Sequence, residues 1–251
     1  MAHKTLIDGT AYAVKGGRDL IAGTGYAKKQ GKTLIDGTEH AISFGIPLGT
    51  ITPGAILYLN ESGSPVPFYI AKHDYESGLN GAGRTLLVRK DCYDMRGFGY
   101  SNTYANSSLD SWLCNTYLKL LDANIQAAIG TTKFYYTIGD GNATVTTLQR
   151  AVFQLSLTEL GKSAMHANVE GKALPIAGTL KIAYLNGRAV EQWTRTPFSD
   201  EISYVYTLLT NGSVGSGVGA SYGRFGSRPA FTLPATTAVT ANADGTYTLA
   251  A

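Results

Sequence analysis

Apolar residues follow two different rhythms along this chain. Through residues 1–42 they come in short bursts bounded by Asp, Gly and Thr. Leu6-Ile7 precedes Asp8-Gly9-Thr10, Leu20-Ile21 precedes Ala22-Gly23-Thr24, and Leu34-Ile35 precedes Asp36-Gly37-Thr38. Tyr12 and Tyr26 stand at matching places in the first two units, and His40 takes that place in the third. Asp-Gly and Gly-Gly pairs accept positive φ and therefore make tight turns. The pattern predicts a repeat of very short strands joined by turns. Such strands have few neighbours, so their apolar side chains need a partner surface. We expect residues 1–42 to be an attachment or oligomerisation arm. Its contacts would be Leu6, Ile7, Tyr12, Leu20, Ile21, Tyr26, Leu34 and Ile35.

The stretch "SFGIPLGTITPG" (43–54) reads as a Gly/Pro-rich hinge. It leaves residues 55–251 as one α+β domain. Strand-like runs at 55–59 and 66–71 flank the turn "NESGS", and further runs cover 84–93 and 132–138. Over 107–129 the rhythm changes. Leu109, Trp112, Leu113, Leu120, Leu121, Ile125 and Ala128 recur at three- and four-residue steps, predicting one long helix. Ser107 and Asp110 have the spacing of an N-terminal cap pair. Ser156, Glu159 and Gly161 predict a capped short helix and its stop. "GDGN", Asn186-Gly187, Asn211-Gly212 and Asp244-Gly245 mark further turns between antiparallel strands.

Composition adds that this is a turn-rich, contact-prone chain. Charged residues make up only 16% of it, while there are 30 Gly and 16 Tyr. Tyr supplies broad contact at low entropic cost. The net charge of +3 comes from scattered basic residues, which argues against nucleic acid as a partner. No segment is long and apolar enough to insert in a membrane. The start lacks an apolar signal core, so we expect synthesis in a cytosol. Cys92 and Cys114 lack metal-site spacing and read as two thiols, although a bridge between them stays open.

Candidate chemistry concentrates in two loops. "TNGSVGSGVGASYGRFG" joins adaptable Gly and Ser to Asn211, Tyr222, Arg224 and Phe225. The segment 93–106 contributes Tyr100 and Tyr104. Both suit recognition of a carbohydrate or protein surface. Catalysis finds little support: the four histidines stand in unrelated contexts, and no metal or cofactor motif is present.

Four stretches carry a family resemblance: "YSNTYANSSLDSWLCNTYLKLLDANIQAAI" (100–129), "VFQLSLTELG" (152–161), "WTRTP" (193–197) and "YGRFGSRPAFTL" (222–233). Their order resembles a domain of unknown function common in prophage and gut-phage genes, with a Trp-x-Arg-Ser-Pro motif and a later Gly-x-Arg-Pro-Ala-Phe. Here Thr196 replaces the serine, and Gly226-Ser227-Arg228-Pro229-Ala230-Phe231 matches the second motif. The resemblance covers most of residues 55–235. It implies a virion protein with a C-type-lectin-like fold, a pattern shared with formylglycine-generating enzymes and phage receptor-binding proteins. The arm is similar to amino-terminal segments of phage structural proteins.

At the signature positions, Trp193, Arg195, Arg228, Pro229 and Phe231 read as scaffold, with the arginines holding loop carbonyls. The competing reading is a pocket in which Trp193 stacks and an arginine pairs with an anion. The expectation is thus a homo-oligomeric virion protein, made in the host cytoplasm, that contacts other virion proteins. It would display a tail, baseplate or fibre adhesin domain towards host-surface carbohydrate or protein. A capsid decoration protein and an enzyme on the formylglycine-generating fold are the alternatives.

Overall fold

The computed structural model describes residues 45–215, 217–221 and 223–250, together with the backbone of four strands in the amino-terminal arm. There β1 (Lys4–Ile7) pairs antiparallel with β2 (Thr10–Ala13), and β3 (Gly31–Ile35) with β4 (Thr38–Ile42). Ile7 faces Thr10 and Ile35 faces Thr38, so the first and third sequence units form hairpins of the same register. Leu20, Ile21 and Tyr26, in the middle unit, lie outside the described residues, as do the side chains of Leu6, Ile7, Tyr12, Leu34 and Ile35.

The described part of the expected hinge is built into the domain. Its strand β5 (Ile46–Pro47) pairs with a carboxy-terminal strand, and Leu48 and Ile51 are buried. Next come β6 (Ile56–Glu61), β7 (Ser64–His73), the single-turn helix α1 (Ser77–Asn80), β8 (Arg84–Arg89) and β9 (Asp94–Arg96). The β6–β7 connection closes on Ser62-Gly63, both at positive φ, the geometry that matches strand twist. β8 reads Thr-Leu-Leu-Val at its centre and is buried on both faces, as befits a central strand.

The segment expected to be one long helix is broken into α2 (Ser108–Asn115), a 3-10 turn (Tyr117–Leu120) and α3 (Ala123–Ala128). The β6–β7 turn competes for its backbone. Ser62 N–H donates to Leu120 O at 2.6 Å, and Asp122 N–H donates to Asn60 O at 3.3 Å. Leu121 is extended and bridges to Glu61. An apolar face at helical spacing is thereby kept while the helix itself is interrupted. The amino-terminal cap does form, Asp110 N–H donating to Ser107 Oγ at 3.0 Å.

The rest of the chain supplies twelve further strands among the described residues. β10 (Thr132–Gly139) and β11 (Asn142–Arg150) form a long hairpin, followed by β12 (Val152–Phe153). At 156–161 a capped turn replaces the expected short helix. Ser156 and Glu159 cap each other, at 2.8 and 3.1 Å, but only one turn follows before Gly161 at φ +70°. Then come α4 (Ala177–Leu180), the hairpin β13 (Ala183–Leu185) and β14 (Arg188–Val190), β15 (Gln192–Pro197), β16 (Tyr204–Leu208) and β17 (Val218–Gly219). β18 (Phe225–Ser227), β19 (Ala230–Pro234), β20 (Ala238–Ala241) and β21 (Tyr247–Leu249) complete the chain.

Two sheets organise most of these strands, and β10–β11 and β13–β14 stand as separate two-stranded hairpins. The larger runs β12-β19-β8-β7-β6-β21-β20-β5 and the smaller runs β17-β16-β15-β18-β9. The architecture is mainly β with a few short helices, compatible with the α+β class. A chain of aromatic contacts runs through the core: Phe225, Trp193, Phe98, Tyr104, Phe134, Phe153 and Tyr75, with successive ring centroids 4.5–6.4 Å apart. Offset and edge contacts of this kind add to the burial each ring supplies.

Candidate functional site

All six residues of β15 are buried, although Gln192, Thr194, Arg195 and Thr196 are polar. Their hydrogen bonds explain why this is tolerable. Gln192 donates to Leu180 O, and Thr194 donates to Tyr206 O. Arg195 Nη1 reaches Glu159 Oε2 at 2.7 Å and Gln154 O at 2.9 Å, and Nε and Nη2 both donate to Tyr135 O. Its guanidinium also lies over the Phe134 ring, 4.5 Å from the centroid. Tyr75 Oη–H donates to the other Glu159 oxygen. Thr196 Oγ1 and Thr137 N–H both donate to Glu170, each at 2.6 Å.

Electrostatics follow from this burial. Burial alone would lower the Arg195 pKa, but Glu159, Tyr75 and Glu170 outweigh it and hold the guanidinium charged. Burial pushes the Glu170 carboxyl up, against the pull of Arg195 and its two donors. Burial and then Glu159 raise the Tyr75 phenol well above its ordinary range. Arg228, 2% exposed, donates to Arg89 O, Leu180 O and Lys90 O at 2.9, 2.7 and 2.6 Å. Trp193 is fully buried and its indole N–H donates to Arg96 O at 2.7 Å; Pro229 and Phe231 are buried too. In these positions the signature side chains hold neighbouring segments and present no face to solvent.

The two loops singled out in the sequence meet at one end of the domain. Phe225 on β18 pairs with Arg96 on β9, and Gly99 N–H donates to Ala220 O. A third loop, 198–204, joins them through Asn102. This buried amide donates to Phe198 O, Glu201 O and Tyr204 O at 3.2, 2.6 and 3.1 Å, while its oxygen accepts from Asp140 N–H at 2.6 Å. Gly217, at φ +91°, lies directly under the Phe198 ring, where a Cβ would collide.

In front of this anchor, Tyr100 is 95% exposed, Ile202 61% and Tyr204 42%; Arg224 is also exposed. Ile202 sits in the loop before β16 and Tyr204 opens that strand; sequence patterning singled out neither as a contact residue. Asn211 is exposed but its side chain accepts from Ser213 N–H, shaping the turn. Phe225 is half buried against Trp193. Tyr222 lies outside the described residues. Tyr104 corrects the expectation: it is fully buried between Phe98 and Phe134, and its hydroxyl accepts from Gln154 N–H at 2.9 Å. Tyr is amphipathic, and here its polar tip finds an internal donor.

Both cysteines are free thiols, and burial pushes the Cys92 pKa up to about 11. Among the described residues, no group of three His, Cys, Asp or Glu side chains converges as a metal site would require. None of their helices is long and apolar enough to cross a membrane. Residues 82–235, more than half of the chain, match the model of a family described as a domain of unknown function, DUF6273. The chain belongs to this family. No curated protein and no solved structure matches it. The DUF6273 segment contains all of the smaller sheet and both signature motifs. The larger sheet draws β5, β6, β7, β20 and β21 from outside it.

Proposed function

We propose that this chain is a binding protein of a phage particle. It docks through its amino-terminal repeat and presents the loops 97–106, 198–204 and 209–224 of a lectin-like domain to a host-surface carbohydrate or protein. One observation carries the binding half of this reading. Asn102 ties the loop 97–106 to 198–204, Gly99 N–H and the Phe198 ring tie both to 217–220, and these loops expose Tyr100, Ile202, Tyr204 and Arg224, while the signature side chains Trp193, Arg195 and Arg228 are used up inside. Aromatic and aliphatic side chains on loops fixed by a rigid body are the usual material of a contact surface. The phage particle and the lectin-like fold rest on the resemblance of the two signature motifs. The arm's part is supported by the repeated hairpin register, since short two-stranded units gain most when a neighbour completes them. Many copies on one particle would turn weak single contacts into useful avidity.

The test has two arms. Immunolabelled particles should carry this chain at the tail; label confined to the head would replace adhesion with capsid decoration. Purified chain should bind host cells, and the variant Tyr100→Ala/Ile202→Ala/Arg224→Ala should bind at least about tenfold more weakly. Its melting temperature should stay within about 2 °C of the parent, as expected of exposed positions. Undiminished binding by the triple variant would remove the loop surface from the proposal.

A further inference from the structure

A cleft lies where β7 ends, and none of the loop-surface residues lines it. Residues 74–76 carry an unusual backbone. Asp74 and Glu76 both adopt left-handed φ, +50° and +45°, on either side of the fully buried Tyr75. Non-glycine residues seldom take this conformation, and it persists only where the surroundings impose it. Tyr75 imposes it here: its hydroxyl is held by Glu159, and its backbone N–H donates to Arg84 O at 3.2 Å. Asp74 is also committed, its carboxylate accepting from Gly83 N–H at 2.7 Å. Glu76 is the exception. Its Oε1 is buried and has no hydrogen-bond partner. It lies 3.0 Å from where a Cβ on Gly171 would stand, so the absence of a side chain at Gly171 lets the carboxylate in.

An unpartnered carboxylate oxygen is expensive to bury, so the Glu76 side chain gains by turning its carboxylate towards a donor bound beside it. The Glu76 side chain lines this cleft of about 700 Å³, whose walls also include Lys72, Lys172, Asp74, Tyr135, Val145 and Val169. That volume lies within the range of small-molecule sites. Lys72 and Lys172 both act on Glu76 electrostatically, opposing the upward push of burial on its pKa, yet neither satisfies the free oxygen. A purely anionic ligand would meet Glu76, and a purely cationic one would meet two ammonium groups. A molecule with an amine at one end and an anionic group at the other answers both. Tyr135 and the two valines give such a ligand an apolar wall for a ring or aliphatic stem.

We propose that this cleft binds a small zwitterion of the amino-sugar phosphate type, its ammonium donating to Glu76 and its anionic group held by Lys72 and Lys172. Lys72, Asp74 and Glu76 precede the DUF6273 segment, whereas Tyr135, Gly171 and Lys172 lie within it. The ligand therefore bridges the family domain and the strands this chain adds to it.

Calorimetric titration of the full chain tests this with three probes: glucosamine 6-phosphate, glucosamine and glucose 6-phosphate. The first should bind at least about tenfold more tightly than either of the others. Glu76→Gln should abolish the preference for the amine, and Lys72→Met/Lys172→Met should abolish the preference for the phosphate. Each variant's melting curve is recorded alongside, so that a folding defect in one leaves the other to decide. No heat from glucosamine 6-phosphate up to about millimolar concentration overturns the proposal, as does equal affinity for the three probes. Full affinity in both variants overturns it as well.

Discussion

Replacing Arg195 by Met should unfold the domain more readily than any change on its exposed loops. The side chain is fully buried and fixes three acceptors: the Glu159 carboxylate, Gln154 O and Tyr135 O. Met keeps length and apolar character but donates nothing. Glu159, itself 0% exposed, would then hold a negative charge with only Tyr75 and the Ser156 N–H as donors. Removing one partner of such a pair costs about 3–5 kcal/mol, much of it the penalty of the charge left behind. Total stability of a domain is about 5–15 kcal/mol, so the loss is about a fifth of it or more. At about 2–4 °C per kcal/mol for a domain of this size, the melting temperature should fall by about 10 °C. Thermal and urea unfolding of Arg195→Met, Glu159→Gln and the double variant would measure this. The double variant should be more stable than Arg195→Met alone, because it also removes the stranded charge, giving a coupling of at least about 1 kcal/mol. A melting temperature within about 2 °C of the parent, or strictly additive losses, would falsify the claim that this pair anchors the signature motif.

Three other outcomes follow from the same geometry. The Glu170 pKa is raised in the fold above its unfolded value of about 4.3, so the native state binds the extra proton; its contribution to stability is fully present below that value and is lost as pH rises through the folded pKa. Glu170→Gln should therefore flatten the decline of melting temperature between acidic and neutral pH, and parallel curves for the two proteins would contradict this. Asn102→Ala removes one side chain that bonds three loop carbonyls and the Asp140 N–H, and it should cost about 2 kcal/mol or more while weakening cell binding, read by unfolding and a binding assay. A chain lacking residues 1–42 should melt within a few degrees of the full chain yet fail to enter particles, and normal incorporation would make the arm dispensable.

Local signals with an internal partner were the most legible in the sequence. Asp140-Gly141 and Asn186-Gly187 each take positive φ at both positions and close their hairpins, because a two-residue turn is settled by the dipeptide itself. The Ser107–Asp110 and Ser156–Glu159 pairs form their capping bonds for the same reason. What periodicity missed came from distant competitors. The run 107–129 keeps its apolar spacing, but Asn60 and Ser62 claim the backbone at Leu120 and Asp122, and nothing near them in sequence announces that contest. Tyr104 misled because composition cannot tell a tyrosine whose hydroxyl finds Gln154 from one left in water, such as Tyr100. Asn102 and Glu76 were invisible for a related reason: their roles depend on groups up to a hundred residues away.

The arrangement separates what the fold needs from what it can offer. β15 and the turn before β19 spend their polar groups on internal carbonyls and carboxylates, so ligands gain little from them directly. The aromatic run from Phe225 to Tyr75 instead connects the two regions proposed to meet partners, the loop end and the neighbourhood of the Glu76 cleft. Side chains at those two places can change without removing a hydrogen bond from β15, because the one cleft residue it holds, Tyr135, is bound by Arg195 through its backbone carbonyl. A domain built this way can keep its signature constant while its surfaces diverge. Exchanging the loop residues Tyr100, Ile202 and Arg224 between family members should therefore transfer binding preference and leave unfolding unchanged; transfer of stability along with preference would show that scaffold and surface are one unit.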